Sequence, residues 1–356
     1  MEKENKISET ISGVRSGKPV AVSRALTLAA DGLQGSDEIL RAFFGNLGQT
    51  HKIGICGPPG VGKSSLASRL ISAYRAKNLK VGMLAVDPSS PISGGAFLGD
   101  RLRIQEHATD NGVFIRSISS RGMVGGLSST IFTQIHVLEA YGCDVILIET
   151  VGIGQDEVAI AQVADTIVYV TTPQLGDEIQ AMKAGVMEIG DIFVVNKADL
   201  DGKDKAVSDL RAALGLGRKM EKNPGDWDAP VVPVSALAGQ GIDQLVESLK
   251  LHKKHLDETG EGRKRLKNQC REELSLYVSR RLYRDFLSKV SDYDLENLVD
   301  HKVNIVDLAS DLLGMKDRSP LTAGQRPVKA QSIRRLSSRL RGNKKFKETS
   351  LKRVIR

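Results

Sequence analysis

The sequence is short of cysteine and of aromatic rings. Cys56, Cys143 and Cys270 lie far apart and form no CxxC pair. Neither a disulfide framework nor a cysteine-built zinc site is expected, and a reducing compartment suits the chain. Aromatic residues make up 4% and glycines number 35, a balance that fits an α/β protein with many tight turns better than a β-sandwich. Long apolar runs are missing too. No stretch approaches the roughly 18 uncharged apolar residues of a membrane span, and the opening Met-Glu-Lys-Glu-Asn-Lys lacks the apolar centre of an export signal. A cytoplasmic location is the expectation.

A uniformly basic surface is also lacking, although the net charge is +8. Residues 316–356 hold 14 Lys or Arg against Asp317 and Glu348, a net of +12, which leaves the other 315 residues at −4. The basic character belongs to a tail in which apolar residues thin out, so that tail is expected to be disordered. Contacts of the tail with acidic surfaces fit its charge, and specific nucleic-acid binding by the folded body is not expected.

What the chain does have is a change of rhythm. Residues 1–48 read as a helical extension, with helical apolar spacing over Val20–Leu33 and Asp37–Phe44. From residue 49 to 252, short apolar runs at Ile53–Cys56, Val81–Val86, Val113–Ile115, Val145–Ile148, Thr166–Val170, Ile192–Val195 and Val231–Val234 read as strands. Most are separated by helical patterns at Lys63–Arg75, Ser128–Tyr141, Glu178–Glu188, Ala206–Leu214 and Ile242–Leu249. Continuous rather than alternating apolar strands joined by helices predict an α/β fold with a mostly parallel sheet covered on both faces. Residues 253–315 return to helix, long and charged over Arg263–Leu287 and then one or two shorter helices over Leu295–Leu313. His252 and His255 are three apart, but nothing completes a metal site, and a surface helix is the plainer reading.

Chemistry concentrates at the carboxyl ends of these strands, where ligands sit in open α/β sheets. Gly57-Pro58-Pro59-Gly60-Val61-Gly62-Lys63-Ser64 matches the phosphate-binding loop GxxxxGK[ST] between a strand and a helix. Its backbone N–H groups wrap phosphate oxygens, Lys63 reaches the β- and γ-phosphates, and Ser64 offers a hydroxyl to Mg²⁺. Asn196-Lys197-Ala198-Asp199 follows another strand. The Asp199 carboxylate matches the paired N1–H and N2–H₂ donors of guanine, which adenine lacks, so GTP is the expected nucleotide. Ser235-Ala236-Leu237 follows the last strand and supplies a backbone N–H for the guanine O6. Glu149 ends the strand Val145–Ile148 and is placed to organise Mg²⁺, with Gly152 near the γ-phosphate. Asp87 ends the strand Val81–Val86 and points a second carboxylate at the metal. Asp100 is either a solvated loop aspartate or a third.

Taken together, Gly57–Ser65, Asp87-Pro-Ser-Ser-Pro91, Gly99-Asp-Arg101, Ser119–Leu127, Glu149–Glu157, Gly176-Asp-Glu-Ile-Gln180 and Asn196–Asp199 resemble the MeaB/ArgK family of GTPases. That family includes the human methylmalonic aciduria type A protein, and the resemblance spans about residues 20–310. It implies a SIMIBI-type P-loop domain with N- and C-terminal helical extensions, dimerisation through the C-terminal one, and GTP/GDP with Mg²⁺ as cofactors. The implied role is a G-protein chaperone that gates adenosylcobalamin delivery to, and protects, a cobalamin-dependent acyl-CoA mutase such as methylmalonyl-CoA mutase. It also implies an active-site set of Lys63, Asp87, Asp100 and Glu149. Ser64, Asp87, Asp100 and Glu149 stand at the metal, and Ser65 lies in the nucleotide loop. A third switch at about Pro173–Gly185 carries nucleotide state to the mutase, with Asp177, Glu178 and Lys183 as its charged members. The family often places Gly after the proline of that switch, where this chain has Gln174. Two other readings share the fold: a kinase acting on a transport-associated binding protein, and a nickel metallochaperone GTPase.

Overall fold

The computed structural model describes residues 2–31, 35–46, 48, 50–87, 105–107, 109–119, 130–150, 159–175, 188–217 and 225–314. Its backbone divides into two compact units, Met1–Arg281 and Leu282–Arg356.

The first unit is built on a seven-stranded sheet in the order β3-β2-β4-β1-β5-β6-β7. The strands are β1 (His51–Cys56), β2 (Val81–Asp87), β3 (Val113–Ser119), β4 (Val145–Glu149), β5 (Thr166–Thr171), β6 (Ile192–Val195) and β7 (Val231–Pro233). Every pairing in it is parallel. The central strands β4 and β5 are buried at every position, as a sheet covered on both faces requires.

Within each continuous apolar run the side chains still alternate between two cores, because successive Cβ atoms leave opposite faces. Ile53, Ile55, Val168, Val170, Ile192 and Val194 enter one core with Leu66 and Leu70 of α4 (Lys63–Arg75) and Leu245 and Leu249 of α7 (Ile242–Thr259). Cys56, Ile146, Ile148, Ile167, Tyr169 and Phe193 enter the other core. There they meet Val22 and Leu26 of α2 (Pro19–Asp31), Ile39 and Phe43 of α3 (Ser36–Phe43), Ile135 of α5 (Ile131–Ala140) and Leu210 of α6 (Lys203–Gly217). Helix α1 (Glu2–Arg15) adds Val14 to this second core. All seven expected strands form, each within four residues of its expected ends.

Helix α8 (Glu261–Leu287) begins in the first unit. Two further helices, α9 (Asp292–Val299) and α10 (Ile305–Leu313), lie in the second. The Leu295–Leu313 pattern therefore resolves into two helices, each started by a side-chain cap: Ser291 accepts from Asp294 N, and Asn304 from Asp307 N. Capping of this kind satisfies the orphan N–H groups of a first turn.

One expectation is overturned. His252 does not lie on a surface face of α7; it is wholly buried. Its Nδ1 is 2.7 Å from Thr166 Oγ1, its Nε2 is 3.3 Å from Asp191 Oδ1, and the Trp227 ring packs 4.8 Å away. A helical stripe containing Leu245, Leu249, His252 and Leu256 is the buried one, and the imidazole is tolerated because polar partners meet it there.

Candidate nucleotide site

Strand β1 ends at Cys56 and the phosphate loop follows at once. Gly57 has φ 133°, and a Cβ there would sit 2.1 Å from the Val170 carbonyl oxygen of β5. Only glycine lets the loop leave the sheet that close to a neighbouring strand. The loop closes into α4 at Gly62, its N-cap, with φ 94°. Lys63 is buried and its Nζ donates to the carbonyls of Gly57 at 2.8 Å and Pro58 at 2.9 Å. The ammonium is thereby held across the mouth of the loop that carries it, where a phosphate's negative charge is stabilised.

Ser64 and Glu149 come together from different elements. The Ser64 hydroxyl, one residue into α4, donates to Glu149 Oε1 at the end of β4 at 2.6 Å, and both residues are buried. A hydroxyl and a carboxylate in contact are the hard oxygen donors that Mg²⁺ takes, and that ion completes its shell with water and phosphate oxygens rather than a full protein cage. The residues present therefore fit Mg²⁺. Asp87 ends β2 in register with Ser119 of β3; its side chain, Asp100, Gly152 and residues 176–185 of the expected switch lie outside the described residues. Pro173–Leu175, which open that segment and include Gln174, form a single 3-10 turn after β5.

At the other end of the site, Asn196 ties the phosphate loop to the guanine loop. It is buried, its Nδ2 donates to Val61 O at 2.8 Å, and its Oδ1 accepts from Ala236 N at 3.1 Å. Lys197 takes a left-handed φ of 56°, and Ala198 N donates to Val234 O at 3.0 Å, so the motif turns sharply over the end of β7. Asp199 is exposed, and its hydrogen bond from the Ser235 hydroxyl holds its carboxyl below the ordinary carboxylate range. Ser235 is itself buried, and its Oγ accepts from Ala238 N at 3.2 Å. A pair of backbone bonds between Ser235 and Gln240 closes the loop. Leu237, in contrast, is 84% exposed.

The described residues thus assemble the phosphate loop, Ser64 with Glu149, and the segments Asn196–Asp199 and Ser235–Leu237 at the carboxyl ends of β1, β4, β6 and β7. One residue outside every motif joins them. Arg69 of α4 donates from Nε to Ala236 O at 2.7 Å and from Nη2 to Leu237 O at 2.9 Å. Its sequence context gives no hint of this, since an arginine in mid-helix reads as a solvated side chain.

Comparison with known proteins gives the family. The family model described as "Methylmalonyl Co-A mutase-associated GTPase MeaB" matches residues 22–291. A putative GTPase of Pyrococcus horikoshii is 43% identical over 288 residues, which cover 81% of this chain and 90% of that protein. The mouse methylmalonic aciduria type A homolog, a mitochondrial protein, is 35% identical over 215 residues, 60% of this chain and 51% of its own length. Among solved structures, an LAO/AO transport system kinase superposes with a TM-score of 0.65 at 25% identity, covering 87% of this chain and 98% of that one.

Proposed function

The chain belongs to the MeaB family of methylmalonyl-CoA mutase-associated GTPases, and from that premise we propose that it is a Mg²⁺-dependent GTP switch that chaperones an adenosylcobalamin-dependent acyl-CoA mutase in the cytoplasm. On this reading the switch gates cofactor delivery and protects the mutase. The observation that carries the nucleotide part is Asn196, whose amide bonds both the phosphate loop and the guanine loop. One buried side chain in that position makes base and phosphate recognition a single rigid unit.

The roles follow from the motifs and from the family resemblance. Lys63 neutralises charge on the transferred phosphoryl group, and Ser64, Asp87, Asp100 and Glu149 would hold the metal and orient water. Gly152 approaches the γ-phosphate, Asp199 reads the guanine N1–H and N2–H₂ edge, and the Ser235–Leu237 loop reads O6. When bound, Mg²⁺ supplies charge neutralisation at the β- and γ-phosphates. The chain's own contribution is to position those phosphates on backbone N–H groups and keep them against Lys63. Hydrolysis is expected to be slow in the isolated protein and faster with its partner. A ligand moves an equilibrium only through differential affinity for two states, and the segment at about Pro173–Gly185 is the proposed bistable element.

The test is co-purification with candidate cobalamin mutases, with GDP and with a non-hydrolysable GTP analogue. A nucleotide-dependent complex is expected. Absence of any such complex across mutases would remove the chaperone role and leave the GTPase standing, whereas equal turnover of ATP and GTP would remove the role given to Asp199.

A further inference from the structure

The guanine loop is gripped from two sides, and one grip comes from a residue that no nucleotide motif contains. Asn196 takes the N–H of Ala236. Arg69 takes the two carbonyls that follow, Ala236 O through Nε and Leu237 O through Nη2. A peptide unit is planar and trans, so its C=O and the next residue's N–H point in opposite directions in one plane. Fixing Ala236 O therefore fixes where the Leu237 N–H points, and fixing Leu237 O does the same for Ala238 N–H, which donates to Ser235 Oγ. The Ala236 N–H is already used by Asn196, while among the described residues the Leu237 N–H has no acceptor. Leu237 N–H is thus the loop donor whose direction is set while its capacity remains for an oxygen of the ligand.

Arg69 also supplies the reference point. It stands on α4, the helix whose first two residues are Lys63 and Ser64. A guanidinium fork matches two adjacent oxygens in a fixed geometry that a single ammonium does not reproduce. The loop that meets the base is therefore held at a fixed distance from the groups that meet the phosphates.

We propose that Arg69 is a positioning residue for guanine recognition, holding the Leu237 N–H where it reads the O6 of the base in register with the phosphate loop. The proposal rests on the guanine assignment of the site. It also separates two parts of base reading: O6 through the loop that Arg69 holds, and the 2-amino group through Asp199.

The experiment uses the full chain and four ligands in equilibrium binding: GTP, ITP, ATP and inorganic tripolyphosphate. ITP keeps O6 and lacks the 2-amino group, ATP lacks both, and tripolyphosphate has no base. Arg69→Ala is expected to weaken GTP and ITP by the same factor, about three- to tenfold. That range is scaled down from fully buried charge-assisted bonds because Arg69 is exposed. ATP and tripolyphosphate should be unchanged, the GTP-to-ITP ratio should stay at its wild-type value, and kcat at saturating GTP should stay within about twofold. Arg69→Lys keeps a cation but offers one nitrogen to two carbonyls, and should give the same pattern at smaller size. It serves as the test if the alanine variant does not fold.

Three results would overturn the proposal: unchanged GTP affinity, an equal loss of tripolyphosphate binding, or a collapsed GTP-to-ITP ratio. The first shows that the contact is idle, the second that Arg69 only supports the fold, and the third that it acts through Asp199. Wild-type protein that binds ATP as tightly as GTP would instead sink the guanine assignment, and the role of Arg69 with it.

Discussion

A Cβ at position 62 would lie 2.5 Å from Asn196 Nδ2, the amide that donates to Val61 O. Gly62 is also in the left-handed region, so any side chain there adds backbone strain to that collision. Gly62→Ala is expected to push Asn196 off both of its partners and to weaken GTP by at least tenfold, while costing about 1–3 kcal/mol of stability. Isothermal titration beside a urea melt checks both; unchanged affinity would mean that the Asn196 bridge does not couple the loops. Asp199 offers a second prediction, with a sign set by its depressed carboxyl. The ionised form, which accepts the guanine donors, persists above its lowered pKa and is lost as pH falls through it. Ser235→Ala removes the bond that lowers it, so the loss should begin at higher pH. The ratio of variant to wild-type GTP affinity, in which the ligand's own titration cancels, is expected to fall as pH drops from 6 toward 4. A flat ratio would show that the Ser235 hydroxyl does not set the charge of Asp199.

At the scale of elements, α8 is the unusual member, because polar side chains fasten it to the first unit. Arg265, Gln269 and Glu273 are spaced four apart on one face. Arg265 forms a two-pronged pair with Asp191 at 2.8 Å and 2.8 Å, just before β6. Gln269 donates to Ala164 O at 3.0 Å, just before β5. Glu273 meets His136 Nε2 of α5 at 2.9 Å, and Glu139 stands 3.3 Å from the other ring nitrogen. Burial alone would lower the His136 pKa, yet hydrogen bonds and charge from Glu139 and Glu273 carry it up to about 9. A folded-state value above the unfolded 6.5 stabilises the protein fully below pH 6.5 and loses that contribution as pH rises through about 9. Stability to urea should therefore decline between pH 6.5 and 9.5, and Glu273→Gln should flatten that decline; an unchanged slope would show that the cluster does not titrate as one. The sequence could not reveal this anchoring. Positions 265, 269 and 273 carry no apolar stripe, and a polar triplet on a charged helix reads as solvated. The strands were legible because Val, Ile and Leu runs have few alternatives in a covered parallel sheet. The phosphate loop and Asn196–Asp199 were legible because each fixes a backbone shape that few other residues permit. His252 and Arg69 were not, since their roles depend on partners 86 and more than 160 residues away.

At the scale of the whole molecule, the short helices of the second unit leave their apolar side chains exposed. Neither α9 nor α10 has a buried residue. Tyr293, Val299, Ile305 and Val306 are each 72–77% exposed. Isolated helices of eight or nine residues are marginal in water without an apolar face packed against something, and these exposed side chains are the ones such packing would cover. A second copy of the chain is the occupant expected from the family resemblance. Hydrophobic burial is worth about 1.5–3 kcal/mol for each fully covered Val or Ile, so a few such residues decide whether an assembly persists at micromolar concentration. The double variant Ile305→Glu/Val306→Glu places two carboxylates where burial is expected. Light scattering should then give a mass near the 38.6 kDa of one chain, against twice that for the wild type. GTP affinity should be unchanged, because every described nucleotide-site residue lies in Met1–Arg281. A wild type that is already monomeric at all concentrations removes the dimer. A variant that stays dimeric places the interface elsewhere than on α10. A variant that loses GTP binding as well as its partner would show that the second unit bears on the nucleotide site, which would make assembly part of the switch and not only its scaffold.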